Sequence, residues 1–155
     1  MNDSIAIFGA VKEEIAGIKQ AMNISDHVRL GKTSAWPGKW GKEEIILVRS
    51  GVGRQRAKDA TLQIIDRFKP RVLISTGYAG AVQPGLNVGD LVIANTIIEE
   101  IKGQKQSPDS DWLDRAIGIP SPNGVKTIVG GLLTVDTVIH TAAIKHELGK
   151  KYGVQ

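Results

Sequence analysis

The chain has no cysteine, which excludes a disulfide framework, thiolate metal sites and a cysteine nucleophile. Aromatic residues are scarce, at 5%, so Ile, Val, Leu and Ala must supply the apolar mass, a composition that suits an α/β sheet. Charge of one sign is not in large excess. Twenty basic residues face sixteen acidic ones, and the resulting +4 is too mild at this size to indicate nucleic acid as a partner. No apolar run approaches the roughly 18 residues that would span a bilayer, and Asp3 stands where a signal peptide carries positive charge. The expectation is a cytoplasmic protein with no membrane or nucleic-acid partner. What is present is 155 residues, 41% hydrophobic and 23% charged, enough for one globular domain over residues 1–155.

Met1 to Ala10 reads as a strand, carried by Ser4-Ile5-Ala6-Ile7-Phe8. From Val11 the apolar positions Ile15, Ile18 and Met22 take helical spacing. Short strands are expected at 28–30 and 33–36, then at 44–48. A helix with Ala57, Ala60, Ile64, Ile65 and Phe68 on one face follows, and it ends at Lys69-Pro70 because proline cannot continue it. Further strands are expected at 71–76, 90–96 and 126–133, and a last helix over 137–150 with Asp136 as its N-cap. The polar, proline-bearing stretch 103–124 reads as a long lid-like loop. Apolar runs separated by helices are the mark of strands buried on both faces, so the expected architecture is α/β, a mainly parallel or mixed central sheet flanked by helices.

Ligands of open α/β sheets sit outside the carboxyl ends of the strands, and three such turns are glycine-rich: 9–14, 50–53 and 76–81. Glycines there let a ligand approach the backbone and leave amide N–H groups free. None of the three matches a dinucleotide fingerprint or a P-loop. His140 and His146, six apart, fall on different faces of the expected helix, so no metal site and no cofactor are expected. Asp136 and His140 lack the Gly-x-Ser-x-Gly nucleophile turn of a triad. Glu14 stands out, because it lies in the first turn of the first helix, where the dipole favours negative charge and a water can be held. Its neighbour Glu13 points about 100° away around that helix, so at most one of the two faces the cleft.

Read in order, these turns resemble the nucleoside phosphorylase and nucleosidase superfamily, particularly the bacterial methylthioadenosine/S-adenosylhomocysteine nucleosidases. The resemblance is carried by Ile5 to Glu14, by Arg49-Ser50-Gly51-Val52-Gly53, and by Thr76-Gly77-Tyr78-Ala79-Gly80-Ala81 running on to Val88-Gly89-Asp90. Gly131 to Asp136 adds a fourth motif in the family's order. It implies a three-layer phosphorylase-like fold, a small-molecule nucleoside as substrate and a homodimer. Glu14 would be the carboxylate that positions and activates the attacking water. Val52 would line the pocket for the sugar's 5′ substituent, Tyr78, Ala79 and Gly80 would lie beside ribose and base, and Val138 with Ile139 would sit at the loop that reads the purine edge.

The pattern is broken at Tyr78, where the nucleosidases usually have serine, and at Val138, where an aromatic ring commonly stacks on the base. Both changes favour a relative such as a hopanoid-associated nucleosidase-like or futalosine-hydrolase-like protein. The family's Met-Glu motif, expected after Tyr152-Gly153-Val154, and its later aspartate have no counterpart, so the resemblance implies the first two-thirds of a family domain, truncated at the C-terminus. Cleavage of an N-ribosidic bond passes through an oxocarbenium-like sugar and needs both a nucleophile and an acid at the leaving base. These residues carry the nucleophile side. Family phosphorylases have an arginine just before the Gly-x-x-Gly turn, where this chain has Ser75 and Thr76. Hydrolysis is therefore expected, with a phosphorylase using Arg49 or Arg54, or a non-catalytic nucleoside-binding domain, as alternatives.

Overall fold

The computed structural model describes residues 3–155, so Met1 and Asn2, the start of the stretch read as a strand, lie outside the described residues. The chain forms two compact units that divide between Ala79 and Gly80.

In the first unit β1 (Ile5–Gly9) is central, paired in parallel with β5 (Glu43–Arg49) on one side and with β6 (Val72–Ser75) on the other. Beyond β5 the pairing turns antiparallel through β4 (Thr33–Trp40), which carries β2 (Asn23–Ile24) and β3 (Val28–Leu30). Every residue of β1 is buried, as its unbroken apolar run requires of a strand covered on both faces. Its two faces are covered by different helices. Ala6 and Phe8 pack with Ile46, Val48 and the Ala60–Ile64 stripe of α2 (Arg54–Phe68). Gly9, of opposite parity, faces Ile15 of α1 (Lys12–Ala21), whose Cγ2 occupies the space a Cβ would take. The result is the expected mixed sheet flanked by helices. α2 stops where the sequence indicates, with Lys69 in the left-handed conformation at φ 49° before Pro70.

In the second unit β7 (Leu91–Glu99) pairs in parallel with β9 (Thr127–Thr134) and antiparallel with β8 (Lys105–Gln106). The stretch expected to be a loop, 103–124, holds both β8 and α3 (Ser110–Ile117). That helix is only two turns long, too short for periodicity to reveal, and it starts at Asp109, whose carboxylate accepts from the Trp112 N–H. The last helix, α4 (Ala142–Tyr152), begins later than expected. Its cap is Thr141 and not Asp136, because the Thr141 hydroxyl accepts from Ile144 N–H. His140 accordingly precedes the helix that was expected to carry it. No helix among the described residues is long and apolar enough to cross a membrane.

Candidate active site

Three parallel strands end on the same edge of the first sheet, and hydrogen bonds tie the turns that follow them. Ser50 N–H donates to Gly9 O at 3.0 Å, Gly51 N–H to Ala10 O at 3.0 Å, and Thr76 N–H to Phe8 O at 2.8 Å. The buried Ser50 hydroxyl adds a bond to Gly9 O. Glu14 stands where these turns meet. Its Oε2 accepts from the Ala10 and Val11 N–H groups at 2.6 and 3.1 Å, and its Oε1 accepts from Tyr78 N–H at 3.0 Å.

The local reason is helix capping. Val11, the N-cap, has no side-chain acceptor, and Glu14 at the third helical position reaches back to its N–H instead. The bond to Tyr78 goes further, because it crosses 64 residues of sequence to the turn after β6. Glycine makes that approach feasible. A Cβ on Gly77 would stand 2.7 Å from Oε1 and 3.0 Å from the carboxyl carbon of Glu14. Gly77→Ala is therefore expected to push the carboxylate off Tyr78 N–H and to cost about 1 kcal/mol, the net worth of one hydrogen bond. Denaturant midpoints check this, and the double change with Glu14→Gln should cost less than the sum of the two, since both lose the same bond.

Of the other candidate residues, Val52 is exposed on the turn after β5 and lines an open cavity of about 580 Å³ together with Ala10, Val11 and Glu13. Tyr78 is exposed, and its hydroxyl donates to Glu13 O at 3.4 Å. Glu13 is also exposed and its carboxylate pairs with Lys12 at 3.7 Å, leaving Glu14 as the acid held at the turns. Ala79 closes the first unit. Gly80 belongs to the second, where Lys145 Nζ lies 3.2 Å from the position of a Cβ. Val138 and Ile139 also belong to the second unit, on the connection from β9 to α4, Val138 exposed and Ile139 half-buried. The sequence reading missed Gly77 as the residue that admits Glu14, and it missed Lys32 and Arg56 on the cavity wall. No group of three or more metal-ligating side chains comes together among the described residues.

Comparison with known proteins decides the family. A model of the phosphorylase superfamily matches residues 4–155. The chain belongs to the phosphorylase superfamily. Among curated members, the 5′-methylthioadenosine/S-adenosylhomocysteine nucleosidase of Staphylococcus haemolyticus is 35% identical over 94 residues, 61% of this chain and 41% of that protein. That of Listeria monocytogenes is 36% identical over 94 residues, 61% of this chain and 40% of the relative. The matches thus span about two fifths of those relatives' length. Among solved superfamily structures, the nucleosidase of Neisseria meningitidis in complex with methylthio-immucillin-A superposes with a TM-score of 0.86 at 25% identity, over 97% of this chain and 72% of that one. A futalosine hydrolase of Helicobacter pylori shares the fold with a TM-score of 0.89 at 20% identity, over 99% of this chain and 73% of that one.

Proposed function

We propose that this superfamily member is a purine nucleoside N-ribosyl hydrolase in which Glu14 positions and activates the attacking water. One observation carries the reading: the Glu14 carboxylate is fixed by three backbone N–H groups drawn from two of the strand-end turns. A carboxylate held from behind by fixed donors keeps its orientation through the reaction, which is what positioning a nucleophile requires. Its remaining lone pairs accept the water's hydrogen bonds. As the water oxygen bonds to the sugar's C1′, its proton passes to Glu14. The bond from C1′ to the purine nitrogen breaks with its electron pair on the base, the base takes up a proton from a general acid or from solvent as it leaves, and the proton on Glu14 returns to solvent. Free sugar and free base are the products. The names of the curated relatives and of the Neisseria meningitidis structure support this class of reaction.

A hybrid in which residues 1–155 replace the matching part of the Neisseria meningitidis nucleosidase tests it. The expected result is release of free base from purine nucleosides in phosphate-free buffer, with one sugar per base. Release only when phosphate is added would make the protein a phosphorylase. Nucleosides that raise the melting temperature of the folded hybrid with no base released would make it a binding domain.

A further inference from the structure

The wall of the cavity beside Val52 carries Lys12, Lys32, Arg49 and Arg56, against a single carboxylate, Glu13. Lys12 is paired with that carboxylate. The other three cations have no carboxylate partner among the described residues. They come from separate parts of the first unit: Lys32 from the turn between β3 and β4, Arg49 from the end of β5, and Arg56 from the first turn of α2. Arg49 is half-buried, with its guanidinium 5.8 Å from the Trp36 ring centre and only a marginal 3.5 Å contact to Ser34 Oγ. A half-buried guanidinium without an anion is a costly arrangement unless something else supplies one. Arg56 folds back over Gly51, its Cδ and Nη1 each 2.9 Å from where a Cβ would lie. Residue 51 is a glycine at φ 83°, so the backbone there stays open for this approach. Like charges gathered on one concave wall repel one another, and a bound anion relieves that.

We propose that this cavity binds an anionic group, a phosphate or a carboxylate, carried on the 5′ carbon of the nucleoside, through Lys32, Arg49 and Arg56. The assignment of the 5′ end rests on the proposed function and on the family resemblance, which implies that Val52 lines the pocket for that substituent. The volume, about 580 Å³, lies within the range of roughly 300–1,000 Å³ usual for small-molecule sites. An open cavity lined by cations from three separate segments suits one compact anion at the end of a ligand, and not a long polyanion, which needs an extended stripe. The substrate class that follows is a nucleoside whose 5′ group is charged, in contrast to one ending in an uncharged thioether.

Titration calorimetry of the 155-residue chain with adenosine, adenosine 5′-monophosphate, adenosine 5′-carboxylate and inorganic phosphate tests this. At least one of the two charged nucleosides should bind about tenfold or more tightly than adenosine, as expected for one charge-assisted contact. The preference should shrink at high salt. Arg56→Gln, on an exposed side chain, and Arg49→Gln should each bring the ratio toward one, whereas Lys58→Gln, outside the cavity, should leave it intact. Adenosine binding as tightly as both charged forms would overturn the anionic subsite and leave the nucleosidase reading standing. Failure of every nucleoside to bind would overturn the anionic subsite, and the hybrid's base release would still decide the nucleosidase reading. Inorganic phosphate binding alongside adenosine as a separate molecule would also overturn it, since the cations would then serve a free co-substrate. If the phosphate form alone is preferred, the ligand is a nucleotide; if the carboxylate form alone, a nucleoside acid; either supports the proposal.

Discussion

Replacing Glu14 by Gln in the hybrid is expected to lower base release by about 10²-fold or more and, in the same protein, to cost about 1–2 kcal/mol of stability. The two effects have separate causes. A carboxamide offers one oxygen where the carboxylate offers two, so it cannot accept from Ala10, Val11 and Tyr78 N–H together without turning its NH₂ toward one of those donors. That loses a hydrogen bond and sets donor against donor. The rate effect comes from the lost proton acceptor, because a carboxamide cannot take the water's proton. Base release and urea unfolding, measured on one preparation, separate the roles. A fall in the unfolding midpoint with unchanged base release would reduce Glu14 to a helix cap.

The 155 residues alone are expected to release base from any purine nucleoside at least about 10²- to 10⁴-fold more slowly than an ordinary enzyme turning over at roughly 1 per second or faster. The reason is the leaving group. A purine that departs without a proton leaves as an anion, and general acid catalysis is the usual remedy. The resemblance assigns that proton to an aspartate, and the grip on the ribose hydroxyls to a Met-Glu motif. Neither has a counterpart in these residues. A second copy of the same chain cannot supply a residue that the chain does not contain. Single-turnover assays with excess chain, read by chromatography of free base, give the measurement. Turnover near 1 per second would show that an acid within residues 3–155 had been overlooked.

How much of this was legible in the sequence depended on whether the signal was local. The buried run Ile5 to Gly9 and the Lys69-Pro70 stop were readable because a fully covered strand and a proline act on their own neighbours. The helix at 110–117 was not, since eight residues give barely two turns of pattern inside a polar stretch. The start of α4 was misplaced because Asp136 and Thr141 are both good caps, and only the bond from Ile144 N–H to Thr141 chooses between them. Glu14 was found from its place in the first turn beside a strand end. Its bond to Tyr78 spans 64 residues, and no spacing rule connects residues that far apart. Lys32, Arg49 and Arg56 come to line one cavity only through the β3–β4 turn, the end of β5 and the start of α2, so that cavity belongs to the fold and not to any motif.

The most direct test of where the nucleoside binds is an amide NMR titration of the ¹⁵N-labelled 155-residue chain with adenosine. If the sugar is held against Glu14, the amides of Ala10, Val11 and Tyr78, which donate to its carboxylate, and that of Val52 on the cavity wall, should move together and saturate with one dissociation constant. Saturation with those four amides unmoved, and the shifts confined to residues such as 110–117, would place the ligand elsewhere and contradict the account.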